Sequence, residues 1–239
     1  MNARSLARIE SQLPAEAVVL DVGGWGRPLA RADWVVDLMP YATRGLYGRD
    51  GDGPERFTAD TWLRFDICDP EPWPFADDEF DFAVCSHTLE DVRDPIRVCA
   101  ELQRVARAGY VEVPSRLEEQ SPLEDRPGVG WSHHRWLIDV DDERRRIEFV
   151  FKHGVVYTTS EARFPRGFHA TLSDDERVAS LWWDGSFDYE ERVMTSGDEL
   201  DPYLADFVTR ALRARGMSRT PAGPRQRLQR ALASLRQPS

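Results

Sequence analysis

Ala17-Val18-Val19-Leu20-Asp21-Val22-Gly23-Gly24 is the stretch on which the fold turns. A short apolar run that ends at once in glycines reads as a strand buried on both faces, as in parallel sheets. Outward from it the pattern recurs. Trp34-Val35-Val36-Asp37 reads as a second strand, residues 62–66 as a third and weaker one, and Phe80-Asp81-Phe82-Ala83-Val84-Cys85-Ser86 as a fourth. Tyr110-Val111-Glu112-Val113 is a fifth, closed by Pro114. Between the last two, Asp94 and Pro95 supply an N-cap and a first helical position. Ile96, Val98, Cys99, Leu102, Val105 and Ala106 follow at helical spacing, and Gly109 is expected to stop that helix. Strands alternating with helices or loops predict an α/β fold, a Rossmann-like, mostly parallel sheet with helices.

The flanks read differently. Residues 6–13 predict a short leading helix. Residues 117–130, acidic and containing proline, read as a loop or lid. Residues 135–139 and 146–152 alternate like an antiparallel hairpin, 178–183 and 187–193 suggest further strands, and 203–215 form an amphipathic helix. The C-terminal half is thus expected to be an antiparallel-strand appendage to the parallel sheet.

The chain has 239 residues and a net charge of −11, which argues against general nucleic-acid binding. Residues 217–239 are a local exception, with five arginines and no acid, and read as a basic, flexible tail. Thirty of the 31 basic side chains are arginines; the lone lysine, Lys152, reads as a by-product of base composition. No run approaches the roughly 18 apolar residues of a membrane span. Residues 1–13 lack the apolar core of a signal peptide, so a cytoplasmic protein is expected. Cys68, Cys85 and Cys99 have neither disulfide-framework nor zinc-knuckle spacing and read as buried thiols.

In open α/β sheets ligands bind beyond the carboxyl ends of the strands, so the polar residues there are the ones to read. After the first strand, Gly23, Gly24 and Gly26 let the backbone approach a ligand closely. Asp37, at the end of the second, can accept from two adjacent ribose hydroxyls, and Asp66, after the third, from an adenine amino group. The fourth strand delivers Ser86-His87-Thr88-Leu89-Glu90-Asp91.

Residues 18–114 resemble a class I S-adenosylmethionine-dependent methyltransferase. The most specific residues are Phe75, Phe80-Asp81, His87, Leu89-Glu90, Asp94-Pro95, Glu101-Leu102 and Arg104-Val105, which resemble the small-molecule branch, type 11-like. The resemblance implies S-adenosylmethionine as cofactor, with Asp21, Gly23, Gly24 and Trp25 near its methionine part. It implies Asp37 and Leu38 at the ribose, Asp66 and Ile67 at the adenine, and Ser86 and His87 at the methionine end beside the substrate. Two features depart from it. Trp25 and Arg27 stand where the family places its second and third glycines, and residues 27–33 are too few for a full crossover helix. Gly26-Arg27-Pro28, Glu112-Val113-Pro114 and His134-Arg135-Trp136 match a subset with this shortened crossover. The expected organisation is a cofactor-binding core over 1–116, a substrate-side lid packed on it over 117–216, and the tail over 217–239.

The candidate catalytic groups are His87, His133 and His134, since a neutral imidazole can take a hydroxyl proton near pH 7. His133 and His134 lie in Gly130-Trp131-Ser132-His133-His134-Arg135-Trp136, where Trp131 and Arg135 are candidate substrate contacts, Arg135 for a carboxylate or phosphate. In extended backbone neighbouring side chains diverge, so one of the two histidines is expected to face the site. No metal is expected: adjacent ligands are awkward for one ion, and the sequence assigns no third. Trp182-Trp183 reads as core or interface. The expected function is methylation of a small molecule, at oxygen, in small-molecule biosynthesis. Two alternatives stand beside it: a methyltransferase-like, non-catalytic binding or partner subunit, and a methyltransferase acting on a macromolecule. The expected partner is a small-molecule substrate, with no membrane and no nucleic acid; a homodimer is left open.

Overall fold

The computed structural model describes residues 1–123 and 128–218. The chain begins with α1 (Ala3–Gln12), β1 (Val19–Val22), β2 (Trp34–Asp37), β3 (Trp62–Arg64), β4 (Phe82–Ser86), α2 (Pro95–Val105) and β5 (Ala108–Pro114). There follow α3 (Arg116–Glu119), the hairpin β6 (Trp136–Asp141) and β7 (Arg146–Phe151), and the short helices α4 (Val155–Thr158) and α5 (Asp174–Arg177). β8 (Val178–Asp184), β9 (Asp188–Glu191) and the long α6 (Gly197–Ala214) complete it.

The main sheet runs β3-β2-β1-β4-β5-β8, parallel throughout except that β8 is antiparallel to β5. It is the expected Rossmann-like sheet. Successive strand residues point to opposite faces, and the core divides accordingly. Leu20, Val22, Ala83, Cys85 and Val111 pack with α2 and with Trp136, Ile138, Ile147 and Phe149 of the hairpin. Val19, Val35, Phe82, Val84 and Tyr110 pack on the other side with Ile9 of α1. A second sheet, β6-β7-β9, lies over the α2 face. Leu200 and Leu204 of α6 cover Leu137 and Val150 of that small sheet.

Local chemistry explains most boundaries. Asp94 caps α2 by accepting from Arg97 N at 2.9 Å, with Pro95 in the first turn. Gly109 does not stop this helix. Ala106 is already extended, and Gly109 sits in β5, where a Cβ would meet Ala83 O at 2.5 Å and the Trp183 ring at 2.6 Å. α6 begins at Gly197, six residues before its expected start, and carries Pro202 in its interior. Between β1 and β2 there is no helix, only turns and an isolated bridge from Leu29 to Asp50, as the short spacing predicts.

Two further expectations are corrected. At the start of the segment read as a loop or lid, Glu118, Glu119, Gln120 and Ser121 are buried, in and just after α3. The division at 116 does not follow the sheet, because β8, from the segment assigned to the lid, supplies its sixth strand. The strands expected at 178–183 and 187–193 form as β8 and β9, and the chain crosses from the main sheet to the small one around Gly185. The expected tail lies, from residue 219 on, outside the described residues. Among the described residues, no helix is long and apolar enough to cross a membrane.

Candidate active site

Strand order reverses between β1 and β4, which places the ligand-binding crevice beyond their carboxyl ends. Gly23, at φ 77°, leaves β1 in the left-handed region, and its N–H reaches Val36 O at 2.8 Å. A Cβ on Gly23 would lie 2.1 Å from Thr88 Oγ1, and one on Gly24 2.3 Å from Asp21 Oδ2. Both glycines therefore let the first loop close against the turn after β4 and against Asp21. Asp21 itself is buried and accepts from Leu29 N at 2.8 Å, so its carboxylate folds the shortened crossover. Burial pushes that carboxyl up to about 7; the Leu29 N–H opposes the shift, and Asp50 and Asp37 add to it.

Asp37 accepts from Trp25 N at 3.0 Å and Met39 N at 2.8 Å, one on each oxygen. Burial raises its carboxyl, against those N–H donors. Trp25 is fixed by its indole N–H, which donates to Thr43 Oγ1 at 3.0 Å. Leu38, Met39, Leu46 and Tyr47 are exposed, giving this part of the chain an apolar rim. Asp66 forms an ion pair with Arg93 and accepts from Cys68 N at 2.9 Å; Arg93 holds it below the usual carboxylate range. The Ile67 side chain is buried in the core, and its carbonyl accepts from Trp73 Nε1 at 3.0 Å.

At the end of β4, Ser86 Oγ donates to Glu112 Oε1 at 3.3 Å. His87 has φ 53° and sits between two buried carboxylates, with Nε2 3.2 Å from Glu112 Oε1 and Nδ1 3.5 Å from Glu90 Oε1. Burial alone would lower this imidazole, but Glu112 and Glu90 outweigh it and push it up to about 9. Glu112 would likewise be raised by burial, yet His87, Tyr110 and Asn2 hold it down at about 2. At neutral pH His87 is thus an imidazolium facing an ionised Glu112.

The sign of the linkage follows. A raised His87 contributes stability that is full below its ordinary 6.5 and is lost as pH rises through about 9. A depressed Glu112 contributes above 4.5, and its share is lost as pH falls through about 2. His87→Asn tolerates the left-handed backbone and removes the titration. The wild-type denaturant midpoint is expected to fall more steeply than the variant's between pH 6.5 and 9, the raised Asp21 carboxyl contributing equally to both. An equal slope in both proteins would assign it to other groups.

The second half of the site lies just beyond. Arg135 N donates to Glu90 O at 2.7 Å and docks the 131–136 segment on the turn after β4. Arg135 is exposed. Residues 131–134 make a turn, with His134 N on Trp131 O at 3.3 Å, so the premise of extended backbone fails here. The His133 and His134 rings stand 4.5 Å apart, centroid to centroid, and Trp131 stacks on His134 at 6.0 Å. His134, 7% exposed at its side chain, has Nδ1 2.7 Å from Glu119 Oε1. Glu119 Oε2 receives Lys152 Nζ at 2.5 Å, and Lys152 also donates to Trp131 O at 2.9 Å. Burial alone would raise Glu119, but His134 and Lys152 hold it below the usual range. An ionised Glu119 makes Nδ1 the N–H donor and leaves the lone pair on Nε2.

Sequence reasoning missed Glu112, Glu119 and Lys152. Glu112 was visible as one charge in an otherwise apolar strand, a pattern that calls for buried partners. Lys152 was visible as the one lysine among thirty arginines. A cleft of about 620 Å³ that includes Arg8, Asp81, Trp182 and Asp184 opens at the opposite, amino-terminal ends of β1 and β4, away from this chemistry.

Residues 34–111 match the family model of a methyltransferase domain. This chain resembles the class I methyltransferases. The match spans β2 to β5 and so includes Asp37, Asp66, Ser86 and His87. No curated protein matches the chain. Similar solved structures include a chain of the Haloferax volcanii complex between the Trm112 methyltransferase activator and a methyltransferase. It has 19% identity and a TM-score of 0.34 over 47% of this chain and 50% of that one. A Thermotoga maritima S-adenosylmethionine-dependent methyltransferase has 22% identity and a TM-score of 0.31, over 48% and 51%. A Mesorhizobium loti one has 16% identity and a TM-score of 0.34, over 62% of each chain. This methyltransferase-like chain spans about half the length of the first two.

Proposed function

We propose that this protein transfers a methyl group from S-adenosylmethionine to an oxygen of a small molecule. One observation carries the reading: the turn after β4 joins a crevice edged by Gly23, Asp37 and Asp66 to an imidazole, His134, oriented by buried Glu119. The residues present fit the cofactor. Each Asp37 oxygen spends one lone pair on a backbone N–H, leaving a second for a ribose hydroxyl. Glu90 Oε2 is buried and finds no hydrogen-bond partner among the described residues, an acceptor of the kind the cofactor's ammonium needs. When bound, the cofactor supplies a methyl group already activated by sulfonium charge, so positioning carries much of the rate.

The chain's own groups then divide the work. Gly23, Gly24 and Trp25 shape the first loop, and Asp37 and Asp66 hold the nucleoside, Asp66 shared with Arg93. An imidazolium cannot accept a proton, so His87 is a positioning cation that fixes Glu90 and Glu112. His134, with Nδ1–H on Glu119, keeps Nε2 free to take the proton of an acceptor hydroxyl. His133, Trp131 and Arg135 border the acceptor.

Asp37→Ala is expected to weaken S-adenosylmethionine binding by about 1.5–3 kcal/mol, roughly ten- to hundredfold, the loss of a charged acceptor. Calorimetry reads this directly, and unchanged affinity would place the ribose elsewhere. A second reading, a methyltransferase-like subunit that transfers nothing, is favoured by Asp66 being tied to Arg93 and by the space at Gly24 being filled by Asp21. It predicts no cofactor binding.

A further inference from the structure

We propose that Asp91, His133 and His134 bind one divalent transition-metal ion at the acceptor side of the crevice. One ring nitrogen of each histidine and one carboxylate oxygen of Asp91 lie within 4.8 Å of one another. Ligands at about 2.1 Å from a shared ion stand about 3–3.5 Å apart. Closing that gap asks for side-chain rotation at Asp91 and His133, which are both exposed. The expectation of no metal rested on diverging neighbours and a missing third ligand. The turn removes the first objection, and Asp91, brought in by the segment after β4, removes the second.

An independent feature marks His134 as a built ligand. Metal-bound imidazoles donate their other N–H to a carboxylate that fixes ring and tautomer. Glu119 stands at 2.7 Å from Nδ1 and is itself held by Lys152 at 2.5 Å, all three side chains being buried. The pair Glu119–Lys152 is neutral as a unit, so among the described residues Asp91 contributes the negative charge of the site, suited to a dication. Two imidazole nitrogens and one carboxylate oxygen favour zinc, iron(II) or cobalt(II) over magnesium or calcium. Three protein ligands leave a position open for water or an acceptor oxygen.

Metal binding stands on this geometry alone. Its role at the acceptor rests on the methyl-transfer reading: with the ion in place, Nε2 of His134 would be a ligand and no longer the proton acceptor, and an acceptor hydroxyl at the open position would lose its proton to solvent water. The test uses the full chain without an affinity tag, stripped with a chelator and free of S-adenosylmethionine. Zn2+ alone is titrated by calorimetry, and Co2+ alone is followed by its visible absorption. One ion per chain is expected. His133→Ala and Asp91→Asn should each weaken binding at least tenfold without shifting the metal-free thermal midpoint, and Glu119→Gln should weaken it 10- to 100-fold. Absence of saturable binding would overturn the site. So would unchanged affinity in the His133→Ala/Asp91→Asn double variant.

Discussion

Lys152→Met is expected to destabilise the fold by about 3–5 kcal/mol, the cost of removing one partner from a buried ion pair. The Lys152 ammonium is fully buried, donating to Glu119 Oε2 at 2.5 Å and Trp131 O at 2.9 Å. Without it, the Glu119 carboxylate stays in the core, 1% exposed, with His134 as its remaining partner. Lys152→Arg is no rescue, because a planar guanidinium is larger than an ammonium and this pocket is closed. Native stabilities are about 5–15 kcal/mol, so the loss approaches what the fold can absorb. Neutralising both partners, Lys152→Met with Glu119→Gln, should recover part of it, since no unpaired charge is left buried. Denaturant midpoints compare the three proteins; a loss below about 1 kcal/mol in Lys152→Met would mean that Glu119 does not depend on the lysine.

His134→Gln is expected to lower turnover by about 10²–10⁴-fold, the usual share of a positioned acid–base group. Affinity for S-adenosylmethionine should be unchanged, because the loss falls on the acceptor half of the site. Glu119→Gln keeps a hydrogen-bonding shape but removes the charge that orients the imidazole and pairs Lys152, so it should destabilise the fold as Lys152→Met does and, in the molecules that remain folded, lower kcat more than it alters KM. Retained turnover in His134→Gln would move the proton acceptor to another residue, with His133 the nearest candidate.

Elements governed by local rules were legible in the chain. Buried parallel strands announce themselves as apolar runs, and β1, β2, β4 and β5 fall inside the runs named for them or extend them by one or two residues. The Asp94-Pro95 cap of α2 is equally local. The misreadings share one cause, long-range packing that overrides composition. Gly109 reads as a helix stop, yet the sheet requires it because the Trp183 ring lies on it. The amphipathic pattern reads as a helix from 203, but the contacts of Leu200 and Leu204 extend α6 back through Pro202. The acids after Pro114 read as part of a loop or lid, whereas Glu118 meets His169, and Glu119 meets His134 and Lys152, in the interior. Those partners stand 15 to 51 residues away in sequence. The same distance hid Asp91 as a neighbour of His133 and His134.

The crevice beyond β1 and β4 is the proposed cofactor site, and calorimetric titration of the purified chain with S-adenosylmethionine and S-adenosylhomocysteine tests it most directly. Saturable binding of both at one site per chain, weakened in Asp37→Ala, is the predicted result. Folded protein that binds neither would contradict methyl transfer and leave the non-catalytic reading in its place.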